Sequence, residues 1–267
     1  MNRLFELAAG TVIGRSHRHL GRNNQDAYAI DLSPNRAIAI VCDGCGSSPH
    51  SEVGAKLGTR LVLSALKRAL DGGQLEFSPD FWQDLRQELL TQLQQMISAM
   101  GNSLTVMRDY FLFTIVGAVL TPDQTAIFSL GDGVVILNEE VILKGSVVDN
   151  CPPFLAYGLV PTLERDANVQ FQVIVRPTAT VNTLVLGSDG VKDLAPAGSI
   201  LPAMAALAED PRIFQNPDRL RRYLAQCNRE IIHPDWDNQV LDRQGGRLED
   251  DTTLVLIRRK QLENSLC

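Results

Sequence analysis

The sequence predicts an α+β fold in which antiparallel β-sheets are covered by helices. Three observations carry that expectation. Apolar runs of strand length fall in two groups, and short connections within each group favour antiparallel pairing. These runs lack polar alternation, so both of their faces are buried. Amphipathic helical segments lie between the groups and after the second one, where they can cover the sheets.

In chain order, strands fit Thr11 to Ser16, Ala27 to Leu32 and Ala37 to Cys42, the last two joined by the turn Ser33-Pro34-Asn35. A helix follows from about Ser51 to Leu70, with Val53, Leu57, Leu61, Ala65 and Ala69 spaced by four, and Asp71-Gly72-Gly73 stops it. Ser78-Pro79-Asp80 opens a second helix with an N-cap, a proline in the first turn and an acid facing the dipole. Its apolar face carries Trp82, Leu85, Leu89, Leu93, Met96 and Met100, and Gly101 ends it. Strands resume at Tyr110 to Leu120, Thr125 to Leu130, Val134 to Leu137 and Val141 to Leu143, with Asn138-Glu139-Glu140 as a hairpin turn. Residues 144 to 167 are rich in loop formers. Further strands fit Val169 to Val175 and Val181 to Leu186, then helices from Ser199 to Leu207 and Asn216 to Ile232, then a final strand from Thr252 to Ile257.

The chain has 267 residues with ordinary apolar content, so a sizeable core can form. The net charge of −6 argues against a surface that coats nucleic acid. The apolar runs are too short to span a membrane, and the N-terminus lacks the continuous apolar stretch of a secretion signal. A cytoplasmic location is expected. Five cysteines do not suggest a disulfide framework. Cys42 and Cys45 form a Cys-x-x-Cys pair, but zinc would need a second pair. A redox switch is a hypothesis motivated by two thiols flanking Asp43.

Acids stand at the ends of four strands. Asp43 and Asp189 each leave an apolar run and precede a glycine; Gly131-Asp132-Gly133 repeats the pattern, and Asp250 precedes the final strand. Carboxylates delivered to one rim cannot all stay ionised without cations, and oxygen-ligated magnesium or manganese resolves that conflict. Two ions about 4 Å apart, sharing a bridging aspartate, can activate a water against a phosphorus centre. Asp43, followed by the unshielded Gly44 carbonyl, suits the bridging position. Arg22, just before a strand, has a guanidinium that matches two phosphate oxygens.

Arg22-Asn23-Asn24-Gln25-Asp26, Asp43-Gly44-Cys45-Gly46, Gly131-Asp132-Gly133, Gly187-Ser188-Asp189-Gly190 and Asp250-Asp251-Thr252-Thr253 occur in an order and spacing that resembles the protein phosphatase 2C (PPM) family. The resemblance runs from about Thr11 to Arg259, nearly the whole chain, and implies one catalytic domain over 1–267 with its core at about 11–259. It implies a four-layer α-β-β-α sandwich: two antiparallel sheets flanked by helix pairs, with metals at one end. The implied activity is magnesium- or manganese-dependent hydrolysis of phosphoserine and phosphothreonine, by direct attack of metal-bound hydroxide and without a phosphoenzyme. By motif position, Asp43 would bridge two ions, the Gly44 carbonyl would ligate one, and Asp189 and Asp250 would complete the other. Asp132 falls where bacterial members hold a third, weaker ion. Arg22 would take the phosphate, Asp26 would hold a metal water, and Asp193 matches an acid near those waters. The implied partners are a phosphorylated protein substrate and a cognate Ser/Thr kinase, with the phosphatase itself a monomer.

The chain departs from the family pattern in places. Gln25 stands where many members have Glu, Cys45 where relatives have His or Met, Ser47 where Gly is usual, and only Thr114 remains of a threonine pair. Gln25 and Cys45 keep open a phosphatase-like binding domain without turnover, and a two-metal hydrolase of small phosphoesters or nucleotides is a second alternative. Several features carry plainer expectations. His17 and His19 alternate, so on a strand they would share a face that could bind a metal, but beside Arg15 and Arg18 they read as surface residues. Arg258-Arg259-Lys260 reads as a solvated charge run. Asn150-Cys151-Pro152-Pro153-Phe154 lies where the family has a mobile flap, and reads equally as an ordinary loop.

Overall fold

The computed structural model describes residues 1–74, 76–144, 152–163, 169–195 and 198–261. One five-stranded sheet runs β1 (Phe5–Val12), β12 (Thr252–Arg259), β9 (Thr183–Gly187), β6 (Val134–Leu137) and β7 (Glu140–Lys144). The other runs β2 (Asp26–Leu32), β3 (Ala37–Asp43), β4 (Ile115–Leu120), β5 (Gln124–Leu130) and β8 (Gln172–Pro177). Every neighbouring pair is antiparallel. The first and last strands, β1 and β12, pair along their whole length, which joins the two ends of the chain within one sheet.

The missing polar alternation has a direct structural cause, because three apolar layers cover both faces of the central strands. On β3, Ala37, Ala39 and Val41 point into the layer between the sheets, where they meet Phe5, Leu184, Val255 and Ile257. Ile38, Ile40 and Cys42 point the other way, toward α2 (Ser51–Asp71) and α3 (Pro79–Ala99). On β12, Leu254 and Leu256 face α5 (Leu201–Glu209) and α7 (Arg219–Cys227), where Met204, Leu220 and Leu224 are buried. The result is the α-β-β-α sandwich. A buried aliphatic side chain stabilises by about 1.5–3 kcal/mol, so layers of this extent can hold unfavourable groups at one rim.

Several local expectations change. The expected strand Thr11 to Ser16 stops at Val12, and Arg15–His19 forms the short helix α1. Leu248 and Glu249 carbonyls accept the Arg15 and Ser16 amides there, which lifts the backbone off the sheet ladder. The expected strand Tyr110 to Leu120 begins at Ile115, because Ser103 caps the helix α4 (Leu104–Tyr110) by accepting from the Val106 amide. The expected helix Asn216 to Ile232 is shorter. It becomes α7, preceded by α6 (Pro211–Gln215) and followed by the hairpin β10 (Ile231–Asp235) and β11 (Val240–Gln244). Asn228 is buried at the end of α7 and donates to the Ile13 carbonyl, which fixes the stop.

The apolar stripe proposed for α2 is rotated. Val53 and Leu57 are each 37% exposed, whereas Ala55, Thr59, Val62, Leu66 and Leu70 are buried. The sheet-facing side uses small residues. A Cβ on Gly58 would lie 2.4 Å from the Phe113 ring. The charge run after β12 is also not simply solvated. Arg258 pairs with Glu6 and stacks over Phe214, and Arg259 stacks over Phe5 while donating to the Val181 and Thr178 carbonyls.

The strand-to-strand crossing Gly131-Asp132-Gly133 depends on its glycines, with φ of 102° and 147°. A Cβ on Gly133 would lie 2.5 Å from Val116 Cγ2 and 3.0 Å from the Gly187 carbonyl oxygen. Gly133→Ala is therefore expected to lower stability by about 2 kcal/mol or more, read as a reduced denaturant midpoint at unchanged slope. An unchanged midpoint would contradict this account of the crossing.

Candidate metal centre

Antiparallel connectivity delivers the acids to one place. The end of β3 and the start of β2 are the same end of the sheet, and Asp26 sits directly opposite Asp43. The β5 strand also finishes at this end, and residues 131–133 carry the chain across to β6 in the other sheet. There Val134 pairs with Gly187, and Gly187 pairs with Leu254, so Asp189 after β9 and Asp250 before β12 arrive beside the crossing. Asp26 and Asp43 share the strand face of Val41 and Ala39, so both carboxylates point into the mouth of the layer between the sheets.

Asp43, Gly44, Asp132, Asp189 and Asp250 line one cavity of about 460 Å³. The backbone around Asp43 is tied down. Its carbonyl accepts the Thr114 amide at 2.8 Å, and the Gly44 amide donates to the Gln25 carbonyl at 3.1 Å. Asp26 lies behind Asp43, 2% exposed, and neither of its carboxylate oxygens has a well-aligned partner. Burial raises its pKa to about 8; the nearby Ser188 hydroxyl opposes that rise, and the negative charge of Asp251 adds to it. Burial first, then the charges of Asp26, Asp189 and Asp250, push Asp43 well above the ordinary carboxylate range. Asp132 and Asp250 are raised as well, again chiefly by burial.

Such a set fits divalent cations. Two unit charges about 5 Å apart repel by roughly 3 kcal/mol at an effective dielectric of about 20, and several pairs add. Protonation or cation binding must offset that cost. Only one cationic side chain is hydrogen-bonded to these acids: among the described residues, Lys192 reaches Asp189 at 3.3 Å. The orphaned Asp26 oxygens and the buried, unpartnered Gln25 Oε1 are acceptors suited to water in a cation's shell.

The remaining site residues named from the sequence stand further out. Arg22 is exposed and donates to the carbonyl of Gly46, which itself lines the cavity. Asp193 is not among the lining residues; its Oδ2 accepts the Glu249 amide at 2.7 Å and so holds the segment leading to Asp250. Phe154 and Tyr157 line the cavity, while Asn150 and Cys151 lie outside the described residues. Cys42 is fully buried toward the helices, and burial raises its thiol well above its ordinary pKa. That disfavours the thiolate a redox switch requires.

Sequence reasoning misplaced His17. It is 8% exposed and lines the cavity, and its Nδ1 lies 2.9 Å from Asp251 Oδ2 and 4.0 Å from Asp250 Oδ1. His19, on the same helix, is exposed as expected. Asp251 was part of a motif but had no role assigned. It is buried and accepts the Gly14 amide on one oxygen and the Gln25 amide on the other. No local pattern announces a contact across 234 positions.

Comparison with known proteins agrees with this geometry. A family model described as Protein phosphatase 2C matches residues 13–228. Serine/threonine-protein phosphatase 3 of Escherichia coli (strain K12) is 26% identical over 140 residues, 50% of this chain and 53% of that protein. The chain thus spans about half the length of that relative. The serine/threonine phosphatase stp of Listeria monocytogenes serotype 4b (strain F2365) is 23% identical over 227 residues, 75% of this chain and 84% of that protein. Among solved structures, a serine/threonine phosphatase from Staphylococcus aureus aligns with a TM-score of 0.57 at 15% identity, over 96% of both chains. The catalytic domain of a serine/threonine protein phosphatase in complex with 2 manganese ions aligns at 0.56 and 14%, over 97% of this chain and 99% of that one. At these identities the structures establish the shared fold.

The raised carboxylates set a direction for stability. In the unfolded chain an aspartate ionises near 3.8, whereas folded Asp26 holds its proton to about 8. Within that window the folded state binds more protons than the unfolded one, so stability of the metal-free protein falls as pH rises. Thermal melts in chelator should show the melting temperature dropping across the window, and manganese should restore it at the alkaline end. A melting temperature that rises with pH in chelator would refute the assignment.

Proposed function

The chain belongs to the protein phosphatase 2C family, and on that premise we propose that it is a magnesium- or manganese-dependent protein phosphatase acting on phosphoserine and phosphothreonine. The observation that carries the reading is the cavity: Asp43, Asp132, Asp189 and Asp250, from distant segments, line it together with Gly44. In this reading residues 11–259 form a single catalytic unit, which the pairing of β1 with β12 supports. It acts as a cytoplasmic monomer opposite a Ser/Thr kinase. Among the described residues, no helix is long and apolar enough to cross a membrane.

Asp43 would bridge two ions, with the Gly44 carbonyl on one and Asp189 and Asp250 on the other; Asp132 would hold a third, weaker ion. Bound there, the ions would supply Lewis-acid activation of water and neutralise charge on the phosphoryl group. The chain's own residues do the rest. Asp26 would hold water of a cation's shell through its buried carboxylate, whose oxygens have no well-aligned protein partner. Arg22, anchored on the Gly46 carbonyl at the rim, offers its remaining N–H groups to the substrate phosphate. Asp193 acts as a positioning residue through the Glu249 amide.

The test is manganese-dependent hydrolysis of phosphoserine and phosphothreonine peptides. Asp43→Ala is expected to lower kcat/KM by about 1,000-fold or more, roughly 4 kcal/mol of transition-state stabilisation. Arg22→Ala should mainly raise KM. Full activity in Asp43→Ala would overturn the reading. Turnover of nucleotides without turnover of phosphopeptides would mark a small-phosphoester hydrolase, and peptide binding without turnover a phosphatase-like binding domain.

A further inference from the structure

Exposed apolar side chains concentrate on the hairpin β10–β11. Ile231, Ile232, Val240 and Leu241 are each about half exposed, and Trp236 at the tip is 81% exposed. The two strands pair with each other and, among the described residues, with neither five-stranded sheet. A lone hairpin is marginal in water, and an exposed apolar cluster with an aromatic anchor marks an interaction surface. The register sorts the two faces. Ile232 lies opposite Arg243 and Pro234 opposite Leu241, so these four share one face, apolar toward the tip and basic at the foot. At the foot, Arg243 lines a second cavity of about 530 Å³ together with Arg15, Arg18, His19, Glu230 and Glu249. The apolar face therefore runs down into this cavity.

The second cavity lies back to back with the metal centre. Arg15, Ser16 and Glu249 line it, while their chain neighbours His17 and Asp250 line the cavity of the acids. Its charges do not balance. Arg15 pairs with Glu249 at 3.2 Å and Arg243 with Glu230 at 3.6 Å, but Arg18 is exposed and, among the described residues, has no acidic partner. In a chain of net charge −6, a cation left over in this place fits a carboxylate brought by a partner. We propose that the hairpin face and this cavity form one docking surface for the phosphoprotein substrate. It takes a segment beside the phosphoresidue, with an acidic side chain against Arg18 and Arg243 and apolar side chains beyond it against Ile232, Pro234 and Leu241. This rests on the phosphatase reading and adds a sequence preference to it. The wall between the cavities is α1, and a helix with its side chains is about 10–12 Å across. Extended chain advances about 3.3 Å per residue, so an acid roughly three to five positions from the phosphoresidue reaches over that wall. The exposed Asp237 next to Trp236 and the net negative charge weigh against an anionic lipid surface as the occupant.

The experiment is steady-state kinetics of the full chain with manganese, on phosphothreonine peptides and on p-nitrophenyl phosphate, which is too small to reach the hairpin. The first peptides carry glutamates roughly three to five positions from the phosphothreonine, on either side in turn, with leucines beyond them. Their controls carry lysines and serines at the same positions. An acidic and apolar flank on the docking side should lower KM by about 10-fold or more at similar kcat. Arg18→Glu combined with Arg243→Glu should erase that difference, and Leu241→Ser should shrink it. Both variants should hydrolyse p-nitrophenyl phosphate as wild type does. Equal KM values for all flanks with wild type would overturn the proposal and leave the phosphatase reading standing, whereas hydrolysis of no peptide at all would remove both. A dimer in sedimentation that Leu241→Ser dissociates, or binding to anionic vesicles that Trp236→Ser abolishes, would assign the hairpin to another occupant and overturn the proposal as well. The wild-type peptide comparison is decisive even where a variant fails to fold.

Discussion

Carboxylates that repel one another are held side by side at one end of this sandwich, and much of the architecture can be traced to that confinement. Asp26 and Asp43 are paired by the β2–β3 register, so neither can withdraw without breaking the ladder. Their side chains emerge from the face that otherwise carries Ala37, Ala39 and Val41 into the buried layer between the sheets. Desolvation and mutual charge then act together, and burial is the larger of the two. The apolar layers supply the free energy that keeps these acids in place; the acids supply a demand for positive charge. Such a rim carries an electrostatic load that a bound cation would relieve.

Asp251 is the fixed point that closes the rim. It gathers the amide of Gly14, at the start of α1, and the amide of Gln25, at the start of β2, and it orients His17 between them. The loop from β1 to β2 would otherwise cross the end of the sandwich with these two backbone donors unsatisfied. Its hydrogen bonds to a charged acceptor are each worth about 1.5–3 kcal/mol, more than a neutral bond. Because Asp251 directly follows Asp250, the same two-residue step sets both the loop and the cavity wall. This is a mechanical reason for adjacent aspartates at the start of β12, separate from any role in binding an ion.

What could be read from the chain divides along physical lines. Asp43, Asp132 and Asp189 were legible because an apolar strand ending in Asp-Gly can place the acid only at a rim, and short antiparallel links bring rims together. The second helix was legible because Ser78 caps it and its stripe is aliphatic and aromatic. The stripe of α2 was misjudged because its contact face uses Gly58 and Ala55, whose small size lets the helix approach Phe113. Hydrophobic spacing does not register a face built from absence of side chain. His17 was misjudged because α1 has no side-chain cap and only five residues; it is shaped by carbonyls from the segment before β12. The hairpin β10–β11 was hidden because Asn228 stops α7 through a contact with Ile13, a partner remote in sequence.

Gln25 gains meaning from the charge balance of the rim. Asp26, Asp43, Asp132, Asp189 and Asp250 would carry five negative charges when ionised, while Asp251 is served by backbone amides and His17. Two divalent cations and the Lys192 ammonium, which reaches Asp189, would match those charges in full. A glutamate at position 25 would add a sixth charge at a buried position, since Gln25 is 2% exposed. The amide avoids that. It donates to the Ser48 carbonyl, which keeps the side chain placed, and leaves Oε1 as a neutral acceptor. A neutral acceptor can still orient water around an ion, but it attracts the ion less.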